Sequence, residues 1–146
     1  MFWKRFRREP AQQGVVQLTG TVLVIDTDPL DLDTYSDILR SLGHEVVPCA
    51  SYQEGIRRLM TEKFELVVLD QGGEHFEGRV VLEHLCALGV RVPTIVFGRR
   101  KNIRCYLEAL ELGADDYFEK PVPPSEIKRV VTALVPPRVF TGAFQR

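Results

Sequence analysis

Neither sign of charge dominates this chain: 19 Lys and Arg stand against 20 Asp and Glu, for a net charge of −1. That balance gives no global reason to expect nucleic acid as a partner. Cysteine is scarce, with three residues in all, Cys49, Cys86 and Cys105. They are far apart, odd in number and never in a CxxC pair. They read as small buried hydrophobes in a reducing cytoplasm rather than as a disulfide framework. No apolar run approaches the length of a membrane span. The basic N-terminus has no apolar core behind it, which excludes a signal peptide. The loop 27–30 has no glycine and is acidic; it would repel a phosphate rather than cradle one, which argues against a flavodoxin-like nucleotide binder.

What is present is a chain of 146 residues, 45% of them hydrophobic, enough for one compact domain with a real core. Residues 1–19 read as an appendage: Phe2-Trp3-Lys4-Arg5-Phe6-Arg7-Arg8 mixes aromatics with cations, and Pro10 to Gly14 read as a linker. A disordered or docked end is the plain reading of this segment, and a membrane-surface or nucleic-acid contact the sharper one. Residues 20–135 form the expected domain and residues 136–146 a short tail.

Within the domain, two apolar runs end on carboxylates. Thr21 to Ile25 leads into Asp26, and Leu66 to Leu69 into Asp70. Continuous apolar runs belong to strands covered by helices on both faces. Asp28-Pro29 opens a helix that Gly43 stops. Glu45 to Cys49 is a short strand whose Pro48 predicts an edge. Ser51 caps a helix running to about Lys63, with Ile56, Leu59 and Met60 inward. Further helices are expected over 78–88, with Val81, Leu82, Leu85 and Cys86 inward, and over 102–112, closed by Gly113. Strands over 92–97 and 115–119 alternate with them. Ser125 is expected to cap the last helix, which ends at Leu134. This alternation predicts a doubly wound α/β domain: a five-stranded parallel sheet of order 2-1-3-4-5 with five flanking helices. Asp26 and Asp70 then meet at the switch point of the sheet.

Three strand ends thus carry charge: Asp26, Asp70 and Lys120. Neighbouring carboxylates stay ionised together only with a cation between them. Carboxylate oxygens suit Mg²⁺, and a lysine opposite can neutralise a phosphoryl group. The set reads as a site where an aspartate accepts phosphate covalently.

With these residues in place, the chain resembles the receiver domain of bacterial two-component response regulators, of the CheY-like superfamily, over about 21–134. The marks are Val22 to Asp26, Leu66 to Asp70 with Gly78 eight residues on, Pro93 to Val96, Gly113 to Tyr117, and Lys120-Pro121. The resemblance implies that Asp70 is the phospho-acceptor and that Lys120 contacts the phosphoryl group. It implies Mg²⁺ held by Asp26, Asp70 and the backbone carbonyl of Gly72, and Tyr117 as an aromatic switch residue. The bond into Pro121 is commonly cis in the family. The implied partners are a sensor histidine kinase or phosphotransfer protein and a downstream protein target, with a second copy of the chain as a further candidate. The expected setting is the cytoplasm, and the expected role is signalling rather than enzymatic.

Four positions depart from the family pattern. Thr27 replaces a second acid that is a main metal ligand, and Gly98 replaces a Ser or Thr that follows the phosphoryl group. Arg99 replaces a small residue at the mouth of the site, and Glu74 a proline. Arg99 is therefore read as a residue that folds over Asp70 and closes the site, its guanidinium replacing the metal. With no output domain expected after Pro136, output is expected through protein contact by a stand-alone receiver, over 102–112, Tyr117 and 125–134. The rival reading is a pseudo-receiver, an interaction module without phosphotransfer. A more distant one is a phosphatase of the haloacid-dehalogenase type, which Asp26-Thr27-Asp28 resembles. There Asp28 would be the general acid, but the required hydroxyl and the later order of Lys and acids are missing.

Overall fold

The structure, a computed structural model, describes residues 16–18, 20–99, 102–136 and 138–140. The elements in chain order are β1 (Val16–Leu18), β2 (Thr21–Ile25), α1 (Pro29–Ser41), β3 (Glu45–Cys49), α2 (Tyr52–Thr61) and β4 (Leu66–Asp70). They continue with α3 (Arg79–Leu88), β5 (Thr94–Gly98), α4 (Ile103–Glu111), β6 (Asp116–Glu119), α5 (Pro124–Leu134) and β7 (Arg138–Phe140). Strands β3-β2-β4-β5-β6 form one parallel sheet in that order, which is the expected 2-1-3-4-5 arrangement.

Alternation along the strands feeds two cores. Leu23, Ile25, Val67, Leu69 and Val96 pack on one face, against α2, α3 and α4 through Leu59, Leu82 and Cys105. Val22, Val24, Leu66, Val68, Ile95 and Phe97 pack on the other, against α1 and α5 through Tyr35, Leu39, Ile127 and Val131. Strands β4 and β5 are buried at every residue, as continuous apolar runs require when both faces are covered. Edge strand β3 carries Pro48 and pairs with β2.

Caps set where α1 and α2 begin. The Asp28 carboxylate accepts the amides of Leu30 and Asp31, with Pro29 as the first helical residue, and the Ser51 hydroxyl accepts the amide of Glu54. Gly78 caps α3 without a side chain. A Cβ there would overlap the carbonyl oxygen of Asp70, so only glycine lets α3 start this close to the end of β4.

Three local expectations need correction. The cap of α5 is Pro123, not Ser125, which lies inside the first turn. Two consecutive prolines, with fixed φ, are preset for a helix start. Met60 is 62% exposed: the inward stripe of α2 is Ile56 and Leu59, and the next residue turns about 100° away. Cys86 is exposed, because α3 faces inward with Val81, Leu82 and Leu85 and leaves Cys86 at the stripe's edge, its Sγ 3.3 Å from the carbonyl of Leu112. Cys49 and Cys105 are buried, and burial pushes the Cys49 thiol up to about 11. A thiol reagent added to the native protein is therefore expected to label Cys86 alone, and all three cysteines only in denaturant; peptide mass mapping checks this.

The basic-aromatic segment lies outside the described residues. One feature of the ends was not expected from the sequence: β1 and β7 pair antiparallel, Val16 opposite Phe140 and Leu18 opposite Arg138.

Candidate functional site

At the carboxyl ends of β2, β4 and β6 the three strand-end charges come together. The Lys120 ammonium lies 2.9 Å from Asp26 Oδ2, 2.9 Å from Asp70 Oδ1 and 2.8 Å from Asp31 Oδ2. Lys120, Asp26 and Asp70 are all buried. Burial disfavours the ammonium, but the hydrogen bonds it donates to Asp31, Asp26 and Asp70 outweigh burial and hold the Lys120 pKa above its ordinary value. Burial acts the other way on Asp26: it raises the carboxyl above its ordinary value against the hydrogen bonds from Lys120 and the Asp28 amide. The peptide bond into Pro121 is cis. Just beyond it, the amide of Val122 donates to the Tyr35 hydroxyl (3.1 Å).

The two oxygens of Asp70 are held differently. Oδ1 takes the short bond from Lys120. Oδ2 takes long ones, from the Tyr52 hydroxyl at 3.3 Å and the Thr27 hydroxyl at 3.5 Å. Burial and the charge of Asp70 hold the Tyr52 phenol above its ordinary pKa, so it remains a donor. A cavity of about 560 Å³ opens over this end, lined by Thr27, Tyr52, Asp70, Gly72, Arg99 and Lys120 among others. Gly72 adopts a positive φ of 89° beside it, and a Cβ there would lie 2.9 Å from the Tyr52 hydroxyl and 2.7 Å from Glu77 Oε1.

Arg99 does not cover Asp70 in the way expected. Its guanidinium bonds Asp28 Oδ2 (2.7 Å) and Asp31 Oδ2 (2.8 Å) at the rim of α1. The reason is local charge: Lys120 already bonds Asp70, and Arg99 pairs with the N-cap Asp28 and the first-turn Asp31 of α1. Asp28 is committed to its cap and to Arg99, with its pKa lowered by the Asp31 amide. It is therefore not placed as a general acid beside Asp26, and the phosphatase reading loses its second acid.

Gly98 and Tyr117 are coupled through a residue that sequence reasoning missed. The buried Tyr117 hydroxyl donates a short hydrogen bond to Gln71 Oε1, and Gln71 Nε2 donates to the carbonyl of Gly73 at 3.0 Å. A Cβ on Gly98 would overlap Gln71 Oε1 and lie 2.6 Å from the Tyr117 oxygen. The space of the family's Ser or Thr side chain is thus filled by Gln71 and Tyr117. Asp31 and Tyr52 were also missed. Asp31 sits three residues after the Asp28 cap, on the same helical face, which is a signal that could have found it. No sequence signal marks Tyr52, which reaches the site from α2.

This fold and strand-end constellation define the receiver class of α/β domain. A family model described as the response regulator receiver domain matches residues 22–132, and the chain belongs to that family. It is similar to the transcriptional regulatory protein PrrA of Mycobacterium tuberculosis, at 32% identity over 121 residues, covering 83% of this chain and 52% of the relative. It also matches the alkaline phosphatase synthesis transcriptional regulatory protein PhoP of Bacillus subtilis, at 28% identity over 78% of this chain and 48% of the relative. The chain therefore spans about half the length of these relatives. Among solved structures, a CheY-like receiver domain protein from Methanospirillum hungatei aligns with a TM-score of 0.72 at 28% identity, over 80% of this chain and 92% of that one. A response regulator from Burkholderia pseudomallei, with a phosphorylated aspartic acid, a calcium ion and citrate, aligns with a TM-score of 0.68 at 25% identity, over 78% and 65%.

Proposed function

We propose that this chain is a receiver that takes a phosphoryl group on Asp70 within a phosphorelay and signals by protein contact. The observation that carries this is the unequal hold on Asp70, a residue that lines the cavity: Oδ1 is anchored by Lys120, while Oδ2 is loosely held. Asp70 Oδ2 attacks the donor phosphorus, the bond from phosphorus to the donor's leaving atom (a histidine ring nitrogen, or the carboxylate oxygen of acetyl phosphate) breaks, and the leaving group departs with that electron pair. Lys120 neutralises charge on the phosphoryl oxygens, and Arg99 adds a cation at the mouth. The donor class is a sensor histidine kinase or phosphotransfer protein. On the output side, α4 exposes Ile103 (64%) and Leu107 (54%), an apolar face that suits a downstream protein target or a second copy. Among the described residues no helix is long and apolar enough to cross a membrane, and the two buried free thiols suit a reducing cytoplasm.

Members of the family generally hold Mg²⁺ in this pocket. Among the described residues no group of three or more His, Cys, Asp or Glu side chains is arranged to hold a metal ion. Asp26, Asp70 and the Gly72 carbonyl remain, but Thr27 supplies no charge and Asp28 faces its cap. This set does not fit a firmly held cation, and no step above depends on one.

The filled space at Gly98 and the neutral Thr27 favour a second reading, a pseudo-receiver without phosphotransfer. Intact mass after incubation with acetyl phosphate, with and without Mg²⁺, separates the two. Gain of one phosphoryl group by the unaltered protein and none by Asp70→Asn is the expected result. No gain in a folded sample would leave the pseudo-receiver.

A further inference from the structure

The acids of this pocket have two side-chain counter-ions, Lys120 and Arg99. Asp31 Oδ2 lies 2.8 Å from Lys120 Nζ and 2.8 Å from Arg99 Nη2, so one carboxylate joins both cations. Lys120 also serves Asp26 and Asp70, and Arg99 also serves Asp28. Both oxygens of Asp26 are engaged, Oδ1 by the Asp28 amide at 2.9 Å and Oδ2 by Lys120. Among the described residues, the hydroxyls of Tyr52 and Thr27 donate to Asp70 Oδ2. Mg²⁺ demands near-octahedral oxygen ligands and is bound through carboxylates. The position whose acid would complete that set holds Thr27, while Asp31 pairs with side-chain cations instead.

We propose that this receiver pocket carries its countercharge in Lys120 and Arg99, linked through Asp31, in place of the divalent cation its family uses. The inference rests on the assignment of this pocket as the receiver site, and it does not depend on whether Asp70 accepts phosphate. It gives the two departures one physical account: losing the acid at position 27 removes the cation's ligand, and Arg99, turned to Asp28 and Asp31, supplies positive charge at the same mouth. It also gives the pocket a fixed charge state that does not vary with the supply of divalent ion.

Thermal unfolding of the full chain in EDTA and in millimolar Mg²⁺ tests this without any phosphodonor. The unaltered protein is expected to melt at the same temperature in both. Thr27→Asp adds a fourth carboxylate close to Asp26, Asp31 and Asp70; it is expected to melt lower in EDTA and to regain about 5 °C with Mg²⁺. A saturable rise in the unaltered protein as large as that in Thr27→Asp would overturn the proposal, as would a folded Thr27→Asp with no response to Mg²⁺. Should Thr27→Asp not fold, Mn²⁺ added to the unaltered protein decides. Amide signals of Gly72 and Gly73 that stay sharp at millimolar Mn²⁺ support the inference, and selective broadening there refutes it.

Discussion

Lys120→Met lowers the unfolding free energy at neutral pH by about 3–5 kcal/mol, the usual cost of stripping one partner from a buried ion pair. Methionine keeps much of the stem's volume, so the loss reports charge rather than a cavity. Asp26 and Asp70 would lie buried with no ammonium between them, and Asp31 would keep only Arg99. The loss also depends on pH in a defined direction. Burial already holds the Asp26 carboxyl above its ordinary value, and without Lys120 it rises further. A carboxyl whose folded pKa exceeds its unfolded value favours the fold at low pH, and that advantage disappears as pH rises through the folded value. The deficit of Lys120→Met relative to the unaltered protein is therefore expected to shrink as pH falls from neutral into the carboxylate range. In the unaltered protein the raised pKa of Lys120 keeps its contribution whole at neutral pH, and it disappears only in strongly alkaline solution. Urea denaturation at a series of pH values measures both. A deficit below about 1 kcal/mol, the scale of an exposed pair, would contradict the buried cluster.

Gly98→Thr, which restores the residue type common in the family, is expected to destabilise the protein by about 1–3 kcal/mol, the cost of overfilling a packed site. The added atoms meet Gln71 Oε1 and the Tyr117 hydroxyl, and both side chains are buried. Tyr117 also packs edge-to-face on Tyr106, with centroids 5.8 Å apart, so it has little room to yield. Tyr117→Ala in the same chain is expected to relieve part of the cost, making the double change less damaging than the sum of the single ones. Chemical denaturation of the four proteins reads this directly, and strict additivity would mean that Gly98 and Tyr117 do not share the space.

The fold was legible because its strands announce themselves. Leu66 to Leu69 is apolar on every residue, and a strand covered on both faces needs that. Asp28-Pro29 and Ser51 mark helix starts through chemistry local to a few residues, and both caps are where the pattern places them. Stripe edges were harder. Met60 and Cys86 neighbour inward residues, and whether such a position is covered depends on the packed partner rather than on periodicity. Pairing of β1 with β7 was beyond reach, since three-residue strands at opposite ends of the chain carry almost no pattern.

The meeting of Asp26, Asp70 and Lys120 could be anticipated because each follows or ends a strand of the sheet, and topology alone brings them near. The direction of Arg99 could not. Choosing between Asp70 and the pair Asp28 and Asp31 takes distances between segments about seventy residues apart. The same holds for Gln71 and Tyr117, whose contact explains why position 98 has no side chain.

Trapping the product identifies the acceptor. Borohydride reduces an aspartyl phosphate to homoserine, which marks the phosphorylated position permanently. The protein would be incubated with acetyl phosphate, reduced, digested and mapped by peptide mass. Conversion at Asp70 alone, absent from Asp70→Asn, is the expected result. A folded sample with no conversion, or with conversion at Asp26 in place of Asp70, would contradict the assignment of Asp70 as the phosphoryl acceptor.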